Sequence, residues 1–529
     1  MPLPPAGKTV WPPKAMEKPY RRYETLAAWW GGDPNVLASL YGSDRGGIDL
    51  QDQKWHASQF RDGAIGKVAR WFWGTPPPAG ELRTKLHLPL AGDIAKMSAR
   101  LLFAEPPKVA CEDEKAQERL DDITGEAFLQ STLMAGAEAA AALGDVYLVG
   151  TWDQTLRDWP WLRVVHADAV VPEWRWDVLT AATIWRVIPT DDKAVWRHLE
   201  RHEPGRILHG LYRGDSSTLG VLMDLQDQDA TKDLAPDGPT GIKQLTVAHI
   251  PNVTPNRLDR GSPLGMSDFS PGVLTLMDEL DEVWSSLARE FRLARARGVA
   301  TEDALRSLGP GKGAVIEQDR EFFVQLNVDP RTVTDPVRLI QPLIRVDEHL
   351  AGARAITEQI IRACGYSLAS FGESQQSGPG GAATAEEIRQ RQSLSYLTRG
   401  AKSLDWARLP AALEMLLALD VAVFSTKVTP ERPEVVFGDQ IAESDSSTAQ
   451  TLNLLTQSQS ASIETRVKLL HPEWEESEVA EEVDRIKTEQ GLTVPDPTVA
   501  IREPAPGQDP SGMPGTGEPT DQPAGMPAM

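Results

Sequence analysis

Residues 309–313, GPGKG, set a lysine between glycines, the composition of a loop that cradles phosphates. Such a loop needs a first glycine for the tight turn, a lysine for the terminal phosphates and a following Ser or Thr for the metal ion. Arg306 stands at the first glycine position and Gly313 follows Lys312, so the motif is incomplete at both ends. Ser367, in GYSLA, approaches the strained-turn serine of acyl-transfer enzymes but lacks its final glycine. His198 and His202 are four apart, the interval of two metal ligands on a helix face. They fall in an expected strand-turn without a third ligand, and surface histidines are the expectation. Gly378 to Gly381 precede a helix whose N–H groups could face an anion, but no strand or lysine supports them. No pair of carboxylates separates itself for acid–base work. The expectation is a protein without catalytic residues, metal or cofactor.

The elements that would position any site follow from apolar spacing. Residues 1–20 are Pro-rich and read as an extended arm, and 23–60 read as helical with a turn at Gly31, Gly32, Asp33 and Pro34. A helix with Asp93 as N-cap and Ile94, Met97 and Leu101 on one face stops at Pro106 and Pro107. An Ala-rich helix spans 126–144. Short β-branched or aromatic runs at 146–149, 161–165, 182–188, 195–200 and 207–212 predict one antiparallel sheet. Ser270 and Pro271 then open a long helix with Val273, Leu276, Leu280, Val283, Leu287 and Phe291 on one stripe, running to Arg297.

A glycine-punctuated stretch, 298–342, contains strand-like 314–316 and 321–326. A second long helix follows over 346–364, with Leu350, Ala353, Ile356 and Ile360 on one face and Gly365 as its stop. Residues 366–383 are a Gly-rich loop. Thr384 and Glu387 form a capping box for a very long helix that bends or breaks at Pro410. An extended stretch near Val435, a helix over 463–470 and a last helix from about Pro472 to Gly491 complete the ordered chain. Residues 503–529 hold 7 Pro and 5 Gly, the composition of a disordered tail. The fold class is α+β.

Composition bounds the function. The 529 residues carry 54 Lys and Arg against 76 Asp and Glu, a formal net charge of -22. A protein that grips nucleic acid over its whole surface needs a basic footprint, which this one lacks. Two cysteines, Cys111 and Cys364, make no disulfide framework or zinc motif, as in a reducing compartment. The N-terminus lacks the apolar core of a secretion signal. The most apolar stretch, 409–424, contains Pro410, Glu414 and Asp420 and reads as a buried helix, so no membrane span is expected. Of 16 tryptophans, 13 precede residue 200. Asp153, Asp158, Glu173 and Asp177 among them argue for packing rather than base stacking.

Residues 86–109, LHLPLAGDIAKMSARLLFAEPPKV, resemble the portal proteins of tailed bacteriophages, in which an apolar helix ends in a similar turn. Matches continue in family order. They are GDVYLV at 144–149, HADAVVPEW at 166–174, WRHLERHEPGRILHGLYRG at 196–214, HIPNVTPNR at 249–257 and GMSDFSPGVLTLMDELDEVWSSLARE at 265–290. The last two are ATAEEIRQRQSLSYLTRGAK at 383–402 and SIETRVKLLHPEWEESEVAEEVDRI at 462–486. The resemblance covers about residues 20–490.

The resemblance implies a ring, typically of twelve subunits, at one capsid vertex. It implies an arm (1–20), a wing (21–268), stem helices at 269–297 and 345–365, a clip (298–344) and a tunnel loop (366–383). A long wing helix (384–425), a crown (426–502) and the tail (503–529) complete the layout. Implied partners are the major capsid protein, a terminase large subunit, a head–tail adaptor and double-stranded DNA in the channel; the implied location is the virion, with assembly in the host cytoplasm. Two basic islands stand out, Arg289, Arg292, Arg295 and Arg297 in one, and Arg389, Arg391, Arg399 and Lys402 in an acid-free run in the other. Within the implied layout the DNA-channel candidates are Arg354, Arg362, Gln375, Gln376, Arg389, Arg391, Arg399 and Lys402. The clip and terminase-docking candidates are Arg292, Arg295 and Arg297. The alternatives are another capsid-assembly component, an adaptor or scaffold, or a terminase-type ATPase.

Overall fold

The computed structural model describes residues 3–41, 85–190, 194–294, 343–372, 385–437 and, with short breaks, 445–489, together with isolated strands between 297 and 340. The chain divides into two compact units, residues 1–440 and 441–529.

The first unit opens with β1 (Gly7–Val10), α1 (Glu17–Gly31) and α2 (Pro34–Tyr41). The expected arm is therefore an edge strand, and residues 17–20 are already helical. Next come α3 (Leu90–Phe103), β2 (Lys108–Ala110), α4 (Glu114–Thr124) and α5 (Glu126–Leu143). Pro89, not Asp93, occupies the cap of α3, and Asp93 sits in its first turn. An acid there still complements the helix dipole.

The strand-rich part holds β3 (Asp145–Thr151), β4 (Trp161–His166), β5 (Val170–Arg175), β6 (Val178–Ile188), β7 (Val195–Glu203), β8 (Arg206–Gly214), β9 (Thr218–Met223), β10 (Asp237–Pro239) and β11 (Val247–Pro251). These form two sheets rather than the single one expected. One has the order β1-β9-β8-β7-β6-β5, with β10 on β8, and the other is β11-β3-β4. The division follows from β3, whose run from Asp145 to Gly150 is buried on both faces. Val146 and Leu148 enter one core with α4, α5 and the later helices, while Tyr147 and Val149 enter another with α1 and α3. A continuously apolar strand with helices on both sides reads that way.

The long helices follow as α6 (Pro271–Leu293) and α7 (Val346–Ala363). Between them lie β12 (Arg297–Thr301), β13 (Arg306–Ser307), β14 (Ala314–Val315), β15 (Phe323–Leu326) and β16 (Val337–Ile340). β12 pairs with β15 in parallel and with β16 in antiparallel. Helix α6 thus stops before Arg297, which opens a strand, and the buried stripe ends at Leu287 because Phe291 is exposed. At the other end of the hairpin Gly365, at φ +85°, turns the chain out of α7, a conformation that costs side-chain-bearing residues.

The unit closes with α8 (Ala385–Trp406), α9 (Leu409–Phe424) and β17 (Glu434–Val436), which pairs with β2. The expected long helix is broken just before Pro410, which sits in the first turn of α9. Trp406, at that break, meets Phe103 edge-on with ring centroids 4.7 Å apart, a geometry worth about 0.5–1.5 kcal/mol beyond the area buried. Most described tryptophans are wholly or partly buried, as expected, but Trp176 is 88% exposed at the tip of the β5–β6 hairpin.

The second unit contains α10 (Asp445–Ser458), α11 (Ile463–Leu470) and α12 (Glu476–Glu489). Val467, Val479 and Val483 form its core. Ser462 caps α11 by accepting from Thr465 N at 3.1 Å. Helix α10 has no counterpart among the expectations, because its Ser, Thr and Asn content favours caps and turns.

Candidate DNA-channel and docking residues

The α6–α7 hairpin carries Arg292, Arg354 and Arg362, and polar contacts at both ends fix its geometry. At the far end the Glu290 carboxylate accepts from Arg345 N at 3.2 Å, pairs with the Arg345 guanidinium and lies 3.2 Å from His349 Nε2. Arg345, then His349, hold this carboxyl well below the ordinary range. At the near end Tyr366, just beyond α7, donates to Asp268, just before α6, at 2.8 Å. End meets start at both places, so the two helices run antiparallel.

Arg354 and Arg362 are exposed on α7. Arg362 lies 3.5 Å from Glu358, a surface pair of little energetic weight. Arg354 lines a groove of about 610 Å³ with Asp93, Asp347, Trp284, Ile361 and Phe371. Arg289 and Arg292 are exposed near the end of α6. Arg295, Gln375 and Gln376 lie outside the described residues, as do residues 309–313, 378–381 and Thr384. Arg297 is placed in β12, and Arg389 and Arg391 in the first two turns of α8, with side chains outside the described residues. Arg399 is half-buried on α8.

Lys402, expected on an exposed basic face, is instead inside the protein. Its side chain is buried at 3% exposure. Its ammonium donates to Asp268 Oδ1 at 2.8 Å and Oδ2 at 2.7 Å, to Ser98 Oγ at 2.7 Å and to the Tyr366 hydroxyl at 2.9 Å. Asn252 Nδ2 adds a further donor to Asp268 at 2.8 Å. Burial, with the Asp268 charge beside it, pushes the Tyr366 phenol well above its ordinary range. A buried charge persists only with partners on every side, and here they come from α3, the entry to α6, the exit of α7 and α8. The acid-free run around Lys402 suggested an exposed basic face, while the acid that neutralises it lies 134 positions away. No local signal in the sequence marks that pairing.

The same junction ties down the turn after α7. Ser367 N donates to Ser395 Oγ at 2.9 Å, Ser370 Oγ donates to Ser395 Oγ at 2.8 Å, and Thr398 Oγ1 donates to the Gly365 carbonyl. Ser367 Oγ itself accepts from Ala369 N at 3.3 Å and caps a short turn. The incomplete nucleophile motif is thereby given a structural use.

The remaining sequence candidates are also buried. His198 and His202 lie inside β7, not at the surface. His198 Nε2 is 3.1 Å from His209 Nδ1, and His202 lies 2.9 Å from Glu200 and 2.6 Å from Thr246. Burial, then His209, pushes His198 down to about 4. Among the described residues no group of three or more His, Cys, Asp or Glu could hold a metal ion. A second buried cluster, unforeseen from the sequence, joins His249 Nε2 to Asp145 Oδ1 at 2.7 Å. Asp145 also accepts from Gly265 N at 2.7 Å and Tyr23 OH at 3.2 Å. Arg408 lies 3.3 Å from His249 Nδ1 and, having only N–H donors, makes that nitrogen the acceptor. No described helix is long and apolar enough to cross a membrane.

No family model matches the sequence, and no curated protein does. Among solved structures the fold is similar to a chain in the virion of a native gene transfer agent particle, at 13% identity and a TM-score of 0.36, over 77% of this chain and 92% of that one. It is also similar to a chain in the neck of an empty gene transfer agent particle, at 13% identity and a TM-score of 0.37, over 77% and 93%. Likeness at this level assigns no role to any residue.

Proposed function

We propose that this chain is a portal subunit, one member of a ring at a single vertex of a tailed-phage-type capsid, through which double-stranded DNA enters and leaves. One observation carries the reading: the antiparallel α6–α7 hairpin has strands inserted between its helices and is followed in the chain by a long broken helix. That is the stem–clip–stem–helix order of the family the sequence resembles; most of the expected tunnel loop lies outside the described residues. In this reading the virion contains a ring of twelve copies bound to the major capsid protein, to a terminase during packaging and to a head–tail adaptor afterwards.

The charge suits a conduit. Twelve copies at -22 each carry a formal charge of -264. Every phosphate neutralised by Lys or Arg adds salt-dependent affinity that a moving DNA must lose again. Few contacts are therefore wanted, and Arg354 and Arg362 on α7, with Arg389, Arg391 and Arg399 on α8, are the ones proposed. Arg292, Arg295 and Arg297 are proposed for terminase docking at the clip. The protein acts without catalysis, and the energy of packaging comes from the separate terminase.

Negative-stain imaging of the purified chain tests the proposal. Rings with a central channel are expected. A monomer, or an assembly that hydrolyses ATP, would overturn it in favour of an adaptor, a scaffold or a packaging motor. Neutralising Arg389 and Arg391 together is expected to lower DNA packaging while leaving rings intact.

A further inference from the structure

Asp278 lies about two turns into α6 with 2% of its surface exposed, and neither carboxylate oxygen has a hydrogen-bond partner. It sits among the residues that join α6 to the N-terminal helices and to α7. Its neighbours on α6 are the acids Glu279, Asp281 and Glu282. From the segment entering α3 come Lys85 and His87; His87 Nδ1 is 2.7 Å from Asp281, which also accepts from Leu88 N at 2.8 Å. From α2 comes Tyr41, whose hydroxyl accepts from Trp29 Nε1 at 3.0 Å. From α7 the packed core residues are apolar, Ala353, Ile360 and Ile361.

An ionised carboxylate at such a place would lose its hydration, gain no hydrogen-bond donor and face three like charges against the single opposite charge of Lys85. We infer that Asp278 is held as the neutral acid and acts as a proton-dependent latch, its ionisation opening the contact between α6 and the N-terminal helices α1 and α2. Burial, then the charge of Asp281, pushes this carboxyl up to about 8, from an ordinary value near 3.8. The folded state therefore holds the proton more tightly than the open state. Its advantage is complete below about pH 4, falls as pH rises, and is gone above about pH 8. The latch is independent of whether the chain forms a ring.

Limited proteolysis of the full-length protein, followed at cleavages within 17–41, tests the latch between pH 5 and 9. In the wild type, opening should increase about tenfold per pH unit up to about pH 8 and level off above it. In Asp278→Asn, after division by the protease's own pH profile on an unfolded substrate, the increase should vanish. Identical pH profiles for the two proteins would overturn the inference. Infrared spectroscopy of the wild type gives a second readout that needs no variant. A protonated-carboxyl band should persist at pH 7 and disappear above pH 8, and its absence at pH 7 would equally overturn the inference.

Discussion

Asp268 and Asp278 belong to the same stretch of chain, one at the entry to α6 and one about two turns inside it, and both are buried. Asp268 is surrounded by donors, the Lys402 ammonium, Asn252 Nδ2 and the Tyr366 hydroxyl. Asp278 has none. The same residue type is therefore a charged cross-link at one site and a neutral acid at the other. Burial alone does not decide the state of a carboxylate; the donors that arrive from distant segments do. The contrast also separates two points ten residues apart at the start of α6, one tied to α3, α7 and α8 by charge, the other set in the apolar cluster shared with α1, α2 and α7.

The largest effect should come from breaking the partnered site. Lys402→Met leaves Asp268 buried and uncompensated and is expected to cost about 3–5 kcal/mol, read as a lower thermal midpoint. Adding Asp268→Asn should recover much of that loss, and a double variant no better than the single one would show that packing, not charge, is what matters there. The sheet offers the basic counterpart of Asp278 in His198. Its folded value near 4 lies below the ordinary 6.5, so the stability it contributes is present above pH 6.5 and lost as pH falls toward 4. The loss amounts to about 3 kcal/mol over that window. His198→Gln should flatten this acid limb of a melting-temperature profile.

Asp278→Asn should act with the opposite sign from Lys402→Met, raising the thermal midpoint at pH 7. The released ionisation penalty, less the cost of a buried amide without partners, leaves a gain of about 1–3 kcal/mol. A destabilised asparagine variant at pH 7 would collapse the contrast between the two aspartates. The smallest effect belongs to the exposed candidates. Arg362→Gln should change stability by less than about 0.5 kcal/mol, because its pair with Glu358 is solvated. Arg362 is thus free to be tested for DNA passage without a folding artefact.

Helix and strand types were legible wherever apolar periodicity was strong. The stripe from Val273 to Leu287, the run from Val146 to Val149 and the break near Pro410 all read directly, since local spacing and proline chemistry produce them. Sheet membership was not, because β3 and β4 look like the other strands until helices are packed on both faces. The arm pairs with β9 through a contact across more than 200 residues, which no local pattern announces. The second unit's α10 was missed for lack of propensity.

The candidate site divides in the same way. The acid-free run of α8 and the arginines of α6 and α7 were visible as types and positions, and so was the order of elements on which the portal reading rests. The sequence by itself determined the α+β class, the antiparallel-capable pair of long helices and the overall acidity. Only the tertiary structure decided which charges reach solvent. It withdrew Lys402 and the histidines of β7 into the interior and left Asp278 without a donor. The reason is physical: periodicity is set by neighbours in the chain, whereas the cost of a charge is set by neighbours in space.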